Sequence, residues 1–330
     1  MTKHLSPRNS NVEVLRYVLM IAICIWHTLV HGYNLKMMGD DIVPSSTSLI
    51  LMSLLAPATY TFMLISGYYG ITLKVKKMFS FVLQCNMYYW LCLLFLFFFS
   101  SVCIMDVCRH PFAVSSNVWW FVTNYVIIML ISPFINSGIE KVERRKYKYI
   151  LICLLFISSI GLYLSNAHTG SDFLGLLIVY LIGRYMGLHK QTLKRSLAVI
   201  LWVVPTSLLV ILCIVGHKIN QDRLLWHLFN YCNPLIILQS VGIMYFVISL
   251  KIRNNIFLNW LGAHCFAIYL ITEKTNKIFY IEWAKTSSES FILCLCEIIG
   301  VSMVIMLLDT VMGMLNKKIT DVVVKDKKVL

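Results

Sequence analysis

The chain has 330 residues, of which 59% are hydrophobic and 13% are charged, and its mean hydropathy is +0.76. Soluble domains carry about a quarter charged residues, so this composition excludes an ordinary soluble domain. The formal net charge is +14, but the Lys and Arg residues are concentrated in short segments between long apolar runs. Orientation in a membrane explains that distribution, so no nucleic-acid partner is expected.

Apolar runs of about 20 residues, long enough to cross a bilayer as helices, recur along the whole chain. They predict an all-α, polytopic integral membrane protein with about ten transmembrane helices, whose partner is the lipid bilayer. The predicted spans are 12–33, 48–71, 81–101, 118–136, 149–165, 172–188, 196–216, 228–250, 258–280 and 291–313.

The distribution of basic residues predicts the orientation of these spans. Most of the 29 Lys and Arg residues fall in the loops that lie on the same side as the N-terminus. Because basic residues collect in short cytoplasmic loops, both termini are expected to be cytoplasmic. No loop is long enough for a separate soluble domain. Residues 1–330 are therefore predicted to form a single membrane domain, with a short Lys-rich tail at 316–330.

The first predicted helix carries a stripe of polar side chains. Arg16 and His27 lie on one helical face, about 16 Å apart along the axis, and Glu13 and His31 extend the stripe. Such residues are costly in a membrane, where they are usually paired, line a cavity or are functional. His27 suits hydrogen bonding to a neighbouring helix, or a role as general base or nucleophile. The His27–His31 spacing also suits a metal, but no third ligand is evident, so no metal site is expected.

A second cluster lies at the inner end of the second span, in the segment 62–70 (FMLISGYYG). Its candidate site residues are Ser66, Gly67 and Tyr68. Gly67 and Gly70 permit close approach of another backbone or of a ligand, and composition alone favours a seam between helices.

Further candidates lie on later spans. Trp120, Asn124 and Tyr125 open the fourth span; interfacial anchoring explains the aromatic residues, whereas Asn124 lies deeper. Arg184 ends the sixth span, most simply as an arginine that reaches the interface. Tyr269 lies on the ninth span.

Two acidic residues also fall within the later spans. Glu273, on the ninth span, is a further candidate site residue. Asp309, on the tenth span, is close enough to the inner end to reach water, so no role is expected for it. The sequence contains no phosphate-binding GxxxxGK[ST] loop, no GxSxG and no HExxH motif.

Arg16, ten intervening residues and His27 resemble the R/K-x10-H signature of the acyltransferase-3 family of integral membrane acyltransferases. Four later blocks are similar to those of the family, in the same order, particularly those of its polysaccharide-modifying subgroup. These blocks are 62–69 (FMLISGYY), 120–133 (WF through Tyr125 to Pro133), 180–185 (YLIGRY) and 259–270 (NWLGAHCFAIYL).

The resemblance implies transfer of an acyl group, most often acetyl from acetyl-CoA, to a carbohydrate hydroxyl. Acceptors would be units of O-antigen, capsule or exopolysaccharide, and the location would be the bacterial plasma membrane. His27 would be the catalytic residue and Arg16 an acyl-CoA-binding residue, with acyl-CoA as co-substrate and no tightly bound cofactor. Thr272 departs from the pattern, since many relatives have a His there.

Two alternatives belong to other functional classes. An exporter or flippase of lipid-linked sugars would also have about ten spans and interior polar residues. An inactive relative that assists a glycan-assembly complex is a second alternative, but the intact pair of Arg16 and His27 argues against it.

Overall fold

A computed structural model describes residues 9–33, 45–99, 112–164, 171–190, 193–219, 228–229, 233–275 and 277–324. It is 86% helical, and these residues contain no strand. The helices of the described part are α1 (Ser10–His27), α2 (Ser46–Leu55), α3 (Ala58–Tyr69), α4 (Val75–Phe99), α5 (Trp120–Glu140), α6 (Arg144–Leu164), α7 (Ser171–His189), α8 (Arg195–Lys218), α9 (Pro234–Ser249), α10 (Ile256–His264), α11 (Phe266–Lys274), α12 (Ile278–Glu289) and α13 (Phe291–Val323).

The all-α, multi-pass membrane architecture is confirmed. Among the described residues, 7 helical segments are long and apolar enough to cross a membrane, and two shorter apolar helices are Phe173–His189 and Pro234–Ser249. The predicted span 149–165 is helical as α6 but is not one of the seven. The count of ten and the cytoplasmic termini stay predictions.

Two predicted spans are interrupted, and one extends further than predicted. The second span is divided at Ala56–Pro57, where proline has no N–H to continue the ladder of hydrogen bonds. The ninth is divided at Cys265 and is followed by the unpredicted helix α12. The tenth continues as a helix to Val323, past its predicted end at residue 313 and into the first part of the Lys-rich tail.

The chain divides into two compact units. The first comprises Met1–Gly70 and Glu140–Cys265. In it α3 packs along α7, α9 packs on α8 and α3, and α1 packs on α10 and α3. Glycines allow the close crossing of α3 and α7, because a methyl group on Gly183 would overlap the Leu64 carbonyl and one on Gly187 the Tyr68 carbonyl.

The second unit comprises Ile71–Ile139 and Phe266–Leu330, and within it α13 packs on α4, α11 and α12. Polar side chains join α4 to the last third of α13. Asn316 donates to the Ser80 carbonyl over 2.8 Å, and Ser80 Oγ donates to Asn316 Oδ1 over 3.0 Å. Asn316 is buried at this pairing, in the part of α13 that extends past the predicted boundary.

Asp309 is also part of this seam. Its side chain is buried, with only 3% of the residue exposed. Its Oδ1 accepts hydrogen bonds from Tyr88 Oη at 2.7 Å and Gln84 Nε2 at 2.9 Å. The prediction that Asp309 reaches water is therefore wrong, because the neighbouring helix α4 covers it and supplies its donors.

We expect Asp309→Ala to lower the free energy of unfolding by about 2–5 kcal/mol, since the buried Tyr88 hydroxyl and the half-buried Gln84 amide lose their acceptor. Thermal unfolding in detergent measures the change. Asp309→Asn is the matched control, because its amide oxygen can still accept from Tyr88 and Gln84, and it should lose less stability than the alanine variant. Equal melting temperatures for the native protein and Asp309→Ala would contradict a stabilising role for this network.

Candidate active site

The start of α1 is anchored by polar side chains to a segment far along the chain. Asn9 caps the helix by accepting from Asn11 N at 3.1 Å. Ser10 Oγ donates to Asn259 Oδ1 over 2.8 Å and accepts from Asn255 N at 2.9 Å. Asn11 Oδ1 accepts from Ile252 N at 3.2 Å. These bonds fix the position of α1, and hence of the residues that follow.

Glu13 and Arg16 form an ion pair one turn into this helix. Arg16 Nη1 lies 3.3 Å from Glu13 Oε2, as the spacing of three residues predicts. Glu13 is 6% exposed, whereas the Arg16 side chain keeps 31% of its surface exposed. Gly262 of α10 packs directly against Glu13, where a methyl group would lie 2.6 Å from the Glu13 Cα atom. Glu13 therefore holds Arg16 in place while the guanidinium stays accessible.

His27 is the last residue of α1 and the cap of a short π-helix, Thr28–Gly32. π-helical turns are rare and often occur at functional sites. The ring of His31 lies beside that of His27, with 5.3 Å between centroids. Thr28 Oγ1 donates to the Cys24 carbonyl over 2.8 Å. The half-buried imidazole of His27 thus lies where the regular helix ends.

A cavity of about 60 Å³ opens beside His27, at the break between α2 and α3. Pro57 has no N–H to donate to the Ser53 carbonyl, which accepts from Gln239 Nε2 at 3.4 Å. The Pro57 carbonyl accepts from Thr61 N at 2.9 Å, from Thr61 Oγ1 at 2.7 Å and from Ser240 Oγ at 3.3 Å. The residues that line the cavity are Ile23, Trp26, His27, Leu55, Ala56, Ala58, Thr59, Tyr60 and Phe229.

The other candidates of the first unit lie on α3 and α7. Ser66 Oγ donates to the Phe62 carbonyl over 3.2 Å within α3, and the ring of Tyr68 meets that of Tyr69 edge to face. A methyl group on Gly67 would overlap the backbone of Tyr180, so Gly67 belongs to the seam between the helices.

Arg184, also on α7, does not end in open solvent as a simple interfacial arginine would. Its side chain is 15% exposed, and Nη2 pairs with Glu140 Oε1 at 2.6 Å. The guanidinium lies against Gly70, whose φ of +75° ends α3. Arg184 therefore holds the end of α3 in place.

The remaining candidates belong to the second unit. Tyr125 stacks on Phe121, and Tyr269 meets the same ring edge to face, so these two are brought together. Trp120 contacts Phe121 edge to face from the first turn of α5, and Asn124 is half-buried on that helix. Glu273 is also half-buried.

The Glu273 carboxylate accepts from Tyr280 Oη at 3.1 Å, and the same hydroxyl lies 3.0 Å from Thr272 Oγ1. Thr272 is the position that departs from the family pattern described above. It is hydrogen-bonded to Tyr280 of α12 and fully buried.

Sequence reasoning identified His27 but did not predict the other walls of its cavity. Thr59, Tyr60 and Phe229 come from segments far from His27 in the chain, and no spacing rule connects them. Pro57 within an apolar run was the available signal, because proline interrupts a helix and exposes its backbone.

The fold and this site define a class: multi-pass α-helical membrane proteins with a histidine beside a cavity and a half-buried arginine on the same helix. The sequence model of the acyltransferase-3 family, described as an acyltransferase domain, matches residues 9–293. The chain belongs to this family, and its activity is that of a membrane acyltransferase. Neither a curated protein nor a solved structure was found to match it.

Proposed function

We propose that this protein transfers an acyl group, in the first place acetyl, from acyl-CoA to a hydroxyl of a surface carbohydrate. The observation that carries the proposal is the cavity at His27. Arg16 lies near the start of the same helix, and His27 is its last residue. The acceptor would be an O-antigen, capsule or exopolysaccharide unit, and the setting a bacterial plasma membrane.

Arg16 suits the phosphates of CoA. A guanidinium has five N–H donors, and the single nitrogen that pairs with Glu13 leaves others for a phosphate. The separation of about 16 Å from Arg16 to His27 along α1 matches the extended pantetheine arm between the phosphates and the thioester. The donor would then lie along α1, with its reactive carbonyl near His27.

His27 would act as the general base. A sugar hydroxyl is a weak nucleophile at neutral pH, and an imidazole within about 3 Å of its proton removes that obstacle. As the proton passes to His27, the hydroxyl oxygen attacks the thioester carbonyl carbon. The carbon–sulfur bond breaks, the ester forms, and the thiolate takes the proton back from the imidazolium as CoA leaves. A route through an acylated imidazole uses the same residue.

The deciding experiment uses the purified full chain with labelled acetyl-CoA and an isolated surface glycan. We expect release of free CoA together with label on the glycan. Transport of lipid-linked sugar by reconstituted protein, with no CoA released, would contradict the proposal and support an exporter. Loss of O-acetyl groups from the surface glycan of cells that lack the protein would identify the acceptor.

We expect Arg16→Ala to raise the KM for acyl-CoA about tenfold or more with a smaller change in kcat, because a charged hydrogen bond to phosphate is lost. Arg16→Lys keeps a cation beside Glu13 and should raise KM less. Arg195→Ala is the matched control, since Arg195 hydrogen-bonds the Ser249 carbonyl at 3.1 Å. An unchanged KM in Arg16→Ala would refute donor binding by Arg16.

A further inference from the structure

Five lysines lie where the start of α4 runs beside the last turns of α13, in the second unit. The members of this basic cluster are Lys74, Lys76, Lys77, Lys317 and Lys318. All of them except Lys76 are exposed. The segments 71–80 and 314–323, which contain the cluster, include a single acidic residue, Asp321. Positive charge is therefore concentrated where these two helix ends meet.

Contacts between the helices keep the two groups of lysines together. Asn316 of α13 is paired with Ser80 of α4, as described above. One turn further along α13, Thr320 Oγ1 donates to Asn316 Oδ1 over 3.0 Å. Lys76 Nζ lies 3.1 Å from Asp321 Oδ1, and this ion pair also joins α4 to α13. The lysines of α13 are therefore held beside those of α4.

The ion pair leaves most of the charge of the cluster available to a ligand. Asp321 pairs with Lys76, and both side chains remain partly exposed. Lys317 lies four residues before Asp321, so the two are neighbours on α13. Lys74 and Lys77 are three residues apart and are neighbours on α4. An anionic group at this place would meet ammonium groups from both helices.

The length of α13 brings its lysines to the level of lipid headgroups. The helix begins at Phe291, where Phe291 and Ile292 expose apolar side chains that suit contact with lipid. Lys317 lies about 39 Å further along the axis, or about 37 Å across a bilayer at an ordinary tilt of about 20°. The hydrocarbon core is about 30 Å thick, and about 40–45 Å with the headgroups. Lys317 and Lys318 are thus beyond the hydrocarbon and within reach of lipid phosphates.

Exposed apolar side chains beside the cluster favour a lipid over a soluble anion. Val75 is 67% exposed next to Lys74 and Lys76, and Val322 is 71% exposed next to Asp321. A membrane surface offers anionic headgroups to the lysines and apolar chains to the valines, whereas a soluble anion would leave the valines in water.

We propose that the basic cluster binds the headgroups of anionic phospholipids. A lysine near an anionic membrane surface contributes about fivefold to affinity. Phosphatidylglycerol carries a net negative charge and would bind, whereas the choline of phosphatidylcholine cancels the charge of its phosphate. Bound lipid would hold the ends of α4 and α13 together and stabilise the folded protein. The inference is independent of the acyl transfer proposed above.

The test titrates the purified full chain, in a neutral detergent, with phosphatidylglycerol and follows the melting temperature. Phosphatidylcholine with the same acyl chains is the lipid control, and inorganic phosphate tests the soluble anion. We expect the melting temperature to rise with phosphatidylglycerol alone. Equal stabilisation by phosphatidylcholine would overturn the proposal, and equal stabilisation by inorganic phosphate would overturn the assignment to a lipid.

Lys317→Gln/Lys318→Gln should weaken the apparent affinity for phosphatidylglycerol about tenfold or more, because two ammonium groups are lost. The matched control is Lys277→Gln/Lys285→Gln, which removes the same charge from the same unit before α13 begins. Its affinity should equal that of the native protein, and an equal loss in both double variants would refute a specific cluster.

Asp321→Asn tests the cluster in the opposite direction and decides the question if the double variant does not fold. It removes the acidic side chain of the cluster and releases Lys76, at the cost of one partly exposed ion pair that stabilises the fold little. We expect the affinity for phosphatidylglycerol to rise about fivefold. An unchanged or weaker affinity in Asp321→Asn would overturn the proposal.

Discussion

His27→Ala is expected to reduce acyl transfer by about 10²–10⁴-fold, the usual contribution of a positioned general base. His27 borders the cavity, and an unprotonated imidazole nitrogen there is a suitable acceptor for the proton of a hydroxyl. The measurement is CoA release by purified protein in the presence of acceptor glycan. The variant should insert and purify as the native protein does, because His27 is only half-buried and truncation leaves the α1 anchors untouched.

His217→Ala is the matched control, since it removes the same side chain from the last turn of α8 in the same unit. Its CoA release should equal that of the native protein. Near-native acylation of the glycan by His27→Ala would refute the catalytic role. Loss of activity in both variants would indicate a general sensitivity of the first unit to substitution instead.

Gly262→Ala is expected to lower the free energy of unfolding by about 3 kcal/mol and to reduce donor use with it. The added methyl group would lie 2.6 Å from both Cα and Cβ of Glu13, and a backbone atom cannot move away as a flexible side chain can. Either α1 and α10 separate, or Glu13 shifts and Arg16 with it. Thermal unfolding in detergent and the KM for acyl-CoA measure the two consequences.

Gly300→Ala serves as the control, because a methyl group at Gly300 of α13 meets no heavy atom within 4 Å. Alanine is the better helix former by about 1 kcal/mol, so this variant should be as stable as the native protein or slightly more so. If Gly262→Ala were as stable as Gly300→Ala, the close packing of α1 against α10 would not matter to the fold.

Apolar run length was enough to predict the fold class and most helix positions. It could not predict the helix ends. The sequence signals for the tail, Asn316 and the lysines, are those of a solvated segment, yet Asn316 pairs with Ser80 of another helix and α13 continues. The prediction that Asp309 reaches water was wrong for the same reason. Its hydrogen-bond donors belong to α4, more than 200 positions earlier in the chain, and α4 covers the carboxylate.

Only the part of the candidate site that lies on α1 could be predicted from the sequence. The spacing of Arg16 and His27, and the pairing of Glu13 with Arg16, follow from helix geometry. The π-helical turn after His27 has no recognised sequence signal, and the cavity depends on residues from separate segments. Family resemblance supplied the chemistry, whereas packing supplied the other residues that line the cavity.

The anchoring of α1 has a consequence for how the protein is made. Ser10 and Asn259, which hold the start of α1, are 249 positions apart in the chain. During synthesis α1 is made long before Asn255 and Asn259, which bind Ser10. Arg16 and His27 therefore reach their final positions only after residue 259 has been made, and a chain that stalls before residue 259 carries both residues without this anchor. The matched region, 9–293, includes both ends of this contact.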